Sequence, residues 1–168
     1  MRGSDSTPAV FAVTVLNRQR RRRVSRHALV TLAASVAQRL GVELELGIHL
    51  VSAREMAEVN WKVLRHEGST DVITFDQGST GNRLVGELFI SIEDAERQAT
   101  EFGTEWNSEL ARYVIHGLLH LRGYDDLTPG PRRAMKRLEG RLVRQETALA
   151  TALKDVPKRR VAARSRKR

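Results

Sequence analysis

The 168-residue chain contains no cysteine. That excludes a disulfide framework, a disulfide-linked partner and a thiolate zinc site, and it suits a reducing compartment. Long apolar runs are also missing. Nothing approaches the roughly 18–20 residues of a membrane span, so no membrane partner is expected. The opening Met-Arg-Gly-Ser-Asp-Ser-Thr-Pro lacks the apolar core of a signal peptide. Acids are missing from two stretches. Arg18, Arg20, Arg21, Arg22, Arg23 and Arg26 form one cationic segment, and Lys158, Arg159, Arg160, Arg164, Arg166, Lys167 and Arg168 form another. These thirteen charges exceed the net +9, which leaves the rest of the chain at −4. Basic character confined to two segments of a mildly acidic body points to a polyanionic partner, most often nucleic acid. Arg20–Arg23, Lys158, Arg159 and Arg160 are the candidate nucleic-acid contacts.

What remains is enough for one domain with a real core. Residues 9–16 are rich in β-branched side chains and read as a strand. Helical spacing follows over 25–40, with Ser25 as N-cap and Gly41 as stop. Residues 42–50 alternate as a half-buried strand. Ser52 opens a second helix, with Glu55 three residues on as a capping box, and it runs to about Leu64. After a polar turn at 65–69, segments 70–75 and 85–91 read as strands joined in a hairpin. Helices are expected at 92–102, 105–122 and 130–153. The fold class is α+β: a small four-stranded mixed sheet packed by about five helices. Residues 1–8 form a flexible start, 9–153 the folded domain and 154–168 a basic, disordered tail.

The chemistry lies in Tyr113-Val-Ile-His116-Gly-Leu-Leu-His120-Leu-Arg-Gly123-Tyr-Asp-Asp126. Positions i and i+4 share one helix face, so His116 and His120 can aim at a single ion. Gly123 suits a left-handed helix stop, after which the chain can return Asp125 or Asp126 to the same point. Two nitrogens and one carboxylate leave a fourth zinc position open, the mark of a catalytic site. A protease of the H-E-x-x-H type needs a glutamate beside the first histidine, and this chain has Gly117 there. His27, His49 and His66 read as non-ligands. Trp61 and Trp106, at helical positions, read as core, with stacking on bases as the alternative. Asp125 and Glu87 are general-base candidates only if the fold brings them near the metal, and Asp71 reads as a turn acid.

The segment His116-Gly-Leu-Leu-His120-Leu-Arg-Gly-Tyr-Asp-Asp126 resembles the H-G-x-L-H-L-x-G-Y-D-H motif of the YbeY family of bacterial rRNA-maturation endoribonucleases. Asn17-Arg-Gln-Arg-Arg, Met56-Ala-Glu-Val-Asn60, Thr70-Asp-Val-Ile-Thr-Phe75 and Gly86-Glu-Leu-Phe-Ile-Ser91 follow in the family's order. The resemblance implies a cytoplasmic, zinc-dependent endoribonuclease acting on rRNA of the small ribosomal subunit (16S), in maturation and quality control. It implies one Zn2+ per chain, held by His116, His120 and Asp126 at the end of a central helix. The family's third ligand is usually histidine. Aspartate is a harder ligand, so preference can broaden to other divalent ions. An arginine thought to assist catalysis in some members falls at Leu64 in this chain, with Arg65 beside it as the candidate substitute. The alternatives are a metal-binding ribosome assembly factor with little nuclease activity and a zinc hydrolase of a small substrate.

Overall fold

The computed structural model describes residues 10–154. The expected flexible start, and the tail from residue 155 with Lys158, Arg159 and Arg160, lie outside the described residues. Four strands form one sheet: β1 (Phe11–Asn17), β2 (Glu43–Val51), β3 (Val72–Asp76) and β4 (Arg83–Ser91). Their order is β1-β2-β4-β3. β1, β2 and β4 run parallel, and β3 pairs antiparallel with β4 as the expected hairpin. The helices are α1 (Arg26–Leu40), α2 (Ala53–Leu64), α3 (Ile92–Phe102), α4 (Trp106–Leu121), α5 (Pro129–Gln145) and α6 (Thr147–Ala152). The architecture is α+β with a mixed sheet, as the patterning indicates.

One expected helix is two. The segment read as 130–153 breaks at Glu146, which leaves helical geometry at φ −102°, ψ 16°. Glu146 is 3% exposed, and its Oε1 accepts from Ser35 Oγ at 2.7 Å and Arg39 Nε at 2.5 Å. A buried carboxylate needs such partners, and both lie on α1.

Strand alternation assigns each face of the sheet. Leu44, Leu46, Ile48 and Leu50 of β2, with Leu84, Leu88 and Ile90 of β4, face the main core beneath α1 and α4. On the other face, Val51 and Ile73 pack with Met56 of α2, beside Val59, Phe75 and Phe89. Ser25, Ser52 and Ser91 cap α1, α2 and α3, each accepting from a backbone N–H three residues on. Glu55 does not complete the capping box. Its carboxylate pairs with Arg18 at 2.7 Å.

The central element is α4, which touches β3, β4, α1, α3, α5 and α6. Its close seat on the sheet depends on two glycines. A Cβ on Gly117 would lie 2.4 Å from Leu88 Cδ2, and one on Gly86 would lie 2.5 Å from the Phe75 carbonyl and 2.7 Å from Leu121 Cδ2. Gly117 therefore serves packing. Trp61 corrects the expectation of a core residue: it is 49% exposed. Trp106 does pack against the main cluster.

Candidate metal centre

The last two turns of α4 carry His116 and His120, one above the other. Gly123 ends the helix at φ 99°, and its N–H donates to the His120 carbonyl at 2.9 Å. Tyr124 N–H reaches back to the Leu119 carbonyl at 3.0 Å. These bonds satisfy carbonyls that a helix end leaves open. They also turn the chain so that Asp126 comes over the histidines. Asp126 Oδ2 lies 3.7 Å from His116 Nε2, and Oδ1 lies 3.8 Å from His120 Nε2. The two Nε2 atoms are 3.0 Å apart.

Each imidazole is fixed from behind. His116 Nδ1 sits 2.8 Å from Glu139 Oε2, and His120 Nδ1 sits 3.1 Å from the Tyr124 carbonyl. Carboxylate and carbonyl oxygens only accept, so in the neutral rings Nδ1 carries the proton and Nε2 the lone pair. Two lone pairs then face each other beside a carboxylate, an arrangement that a cation stabilises. Ligand atoms about 2.0–2.2 Å from a tetrahedral ion are separated by about 3.3–3.6 Å, close to the spacings found. His116, His120 and Asp126 are the group among the described residues able to hold an ion, with donor atoms within 4.8 Å of one another. All three are half-buried, which leaves one side open to solvent.

Glu139 is the residue that the sequence reading missed. It comes from α5, is 8% exposed, and also accepts from Arg112 Nη1 at 2.8 Å. Burial works to raise its pKa, but the bonds from His116 and Arg112 hold it below the ordinary glutamate value. Burial opposes the charged form of His116. The hydrogen bond to Glu139, then the charges of Glu139, Asp126 and Asp71, outweigh it and raise that pKa. A signal existed: Glu139 stands four residues after Met135 and three before Leu142, on the buried stripe of α5. A charge at such a position requires a partner.

Other candidates lie elsewhere. Asp125 Oδ1 accepts from Leu127 N–H at 2.9 Å, a bond within its own turn. Glu87 points to the face opposite α4, because its neighbours Gly86 and Leu88 touch that helix. It meets His49 at 3.4 Å. His49 is buried and stacks on Phe89 with ring centroids 4.3 Å apart. Arg65 is the C-cap of α2 at φ 55°, with its guanidinium 5.9 Å from the Trp61 ring. Asp71 Oδ1 bonds its neighbours Val72 N–H and Thr70 Oγ1, as a turn acid does. Asp71 also lines a cavity of about 530 Å³ that His116 and Glu139 border.

The arginine segment lies at the far end of α4. Arg22 sits over Trp106, 5.8 Å from the ring centroid, ten residues or about 15 Å of helix from His116. Arg21 and Arg22 both bind Glu96, Arg21 at 2.7 Å. The segment does not line the metal cleft.

A family model described as Endoribonuclease YbeY matches residues 14–146. The chain belongs to the YbeY family. Endoribonuclease YbeY of Bacteroides thetaiotaomicron is 42% identical over 110 residues, covering 66% of this chain and 77% of that protein. Endoribonuclease YbeY of Anaeromyxobacter dehalogenans is 34% identical over 135 residues, covering 79% and 70%. The solution structure of TM1509 from Thermotoga maritima superposes with a TM-score of 0.61 at 21% identity, over 88% of this chain and 97% of that one. That likeness concerns the fold alone. The match to the YbeY model includes the His116–Asp126 turn and Glu139.

Proposed function

We propose that the protein is a metal-dependent endoribonuclease that cuts single-stranded RNA at the His116–His120–Asp126 centre. Its relatives are named as endoribonucleases. The observation that carries the reading is the pair of Nε2 atoms 3.0 Å apart, each ring anchored through Nδ1, beside the Asp126 carboxylate. A divalent ion held there supplies Lewis acidity toward a phosphoryl oxygen and acidifies water. The chain's own part is positioning. Glu139 fixes the tautomer and angle of His116, and the Tyr124 carbonyl does the same for His120. Arg112 keeps Glu139 ionised and therefore able to accept. Asp126 would supply the third donor and offset part of the charge of a bound ion.

The ion proposed is Zn2+, one per chain, with other divalent ions admitted by the hard carboxylate. The substrate proposed is 16S rRNA precursor in the small ribosomal subunit, in the cytoplasm. Among the described residues, no helix is long and apolar enough to cross a membrane. Arg20 and Arg23, without acidic partners among the described residues, are proposed as RNA contacts, joined by Lys158, Arg159 and Arg160.

The test is incubation of metal-loaded protein with end-labelled rRNA precursor, beside Asp126→Ala and a chelated sample. Cleavage that needs both the metal and Asp126 is expected. RNA binding without cleavage in a metal-replete preparation would point to an assembly factor.

A further inference from the structure

A polymer cut at the metal must place its neighbouring nucleotide somewhere, and one hollow adjoins the centre directly. The cavity of about 530 Å³ shares His116 and Glu139 with the metal site. It falls within the roughly 300–1,000 Å³ of small-ligand pockets, which excludes a duplex and admits a nucleotide.

Its lining selects against phosphate. Glu109 and Glu139 both face it, and Arg112 is committed between them, at 3.6 Å and 2.8 Å. Asp71 and Lys136 add one charge of each sign to the lining. The acids thus outnumber the bases, and a phosphate entering would meet uncompensated carboxylates. A neutral planar group meets better partners. Phe102 is 63% exposed, an unusual position for that ring, and it borders the cavity. Gln98 stands one helical turn before it on α3, so both look into the same space. The Gln98 amide has no partner among the described residues and offers both a donor and an acceptor. An aromatic face beside an amide fits a nucleobase: the ring stacks, and the amide reads an edge.

We propose that this cavity is a nucleobase subsite for the nucleotide flanking the scissile bond, with Phe102 as the stacking face and Gln98 as the reading group. The proposal rests on the endoribonuclease reading for the identity of the polymer. It also implies that the flanking nucleotide must be unpaired, since a base inside a duplex cannot enter.

The experiment uses metal-loaded full-length protein and single-stranded RNA nonamers in which one abasic residue is walked along the chain. Affinity and initial cleavage rate are read for each. In the wild type, base removal at one position should weaken binding about tenfold, the scale of one lost stack. Phe102→Ala should weaken intact RNA by a similar factor and erase the effect at that position alone, with metal content unchanged. Gln98→Ala should narrow the difference among the four bases at the same position. An abasic profile in Phe102→Ala identical to that of the wild type overturns the subsite. Cleavage with a flat profile in the wild type refutes the subsite alone. An abasic signature in affinity without any cleavage refutes the endoribonuclease reading and retains the subsite. Failure to bind any nonamer overturns both.

Discussion

His116 Nδ1 and Glu139 Oε2 lie 2.8 Å apart, joining α4 to a buried carboxylate 23 residues further along the chain. This contact fixes which imidazole nitrogen is free. Glu139→Gln keeps the shape and removes the charge. Loss of such a carboxylate partner typically costs 10–100-fold in metal affinity. A chelator-competition titration should show zinc bound within that range more weakly, with His116 and His120 still in place. Undiminished affinity would reduce Glu139 to a packing role.

The ligand set gives a direct count. Purified protein should carry about one equivalent of divalent metal, and His116→Ala, His120→Ala and Asp126→Ala should each lower it. Asp126→His should retain or tighten zinc, because imidazole is a softer donor than carboxylate. Elemental analysis reads both. Full metal content in His120→Ala would overturn the assignment.

Gly117→Ala should destabilise the fold by about 1–3 kcal/mol, the cost of overpacking a tight core. The new methyl would lie 2.4 Å from Leu88 Cδ2. Leu88→Ala in the same chain should recover part of that loss, because the two sites share one space. Urea denaturation of both singles and the double variant measures the coupling. Simple additivity would place the strain elsewhere, at Thr74 for example.

Glu96 supplies a pH test away from the metal. Burial works to raise its pKa, but hydrogen bonds from Arg21 and Arg22 hold it below the ordinary glutamate value. A depressed folded pKa means that the stabilisation is present above the unfolded value, about 4.3. It is lost as pH falls through the folded one. Glu96→Gln should therefore lower stability at pH 7 by up to about 1 kcal/mol, as exposed ion pairs do. The difference from wild type should vanish in acid. A gap that persists once the Glu96 carboxyl of the folded wild type is protonated, at the acid end of the titration, would trace the effect to packing.

The basic segments should govern affinity rather than turnover. Changing Arg20–Arg23 to glutamine should weaken RNA binding while leaving cleavage at saturating RNA intact, since the segment sits at the other end of α4. If Arg20 and Arg23 each neutralise one phosphate, the slope of log K against log salt should flatten by about 1.4. Removing residues 157–168 should flatten it further without touching metal content. Unchanged slopes in both variants would leave these charges as solvated surface.

The histidine pair, the glycine stop and the sheet were legible because each is written in local spacing. Strand alternation at 42–50 and the serine caps depend on neighbours within a few residues. What escaped depends on distant ones. The break at Glu146 is made by Ser35 and Arg39, which lie 111 and 107 residues away in sequence. The remoteness of the arginine segment from the metal follows from the course of α4 across the sheet, which no local pattern encodes. Trp61 sits at a helical position that patterning alone cannot tell from core. Its exposure is decided by what α2 leaves uncovered.

The glycines under α4 divide the coordination sphere into two mechanical halves. His116 and His120 ride on a helix that two missing methyl groups clamp to the sheet, so their spacing resists change. Asp126 hangs on an exposed turn, tied down by its own carbonyl to Arg132 at 2.8 Å. The helix half would set where an ion sits, and the loop half would accept a different donor without moving the histidines. An ion held here would take its two imidazole donors from the helix and its third donor from a single loop position, which would leave that position free to set metal preference.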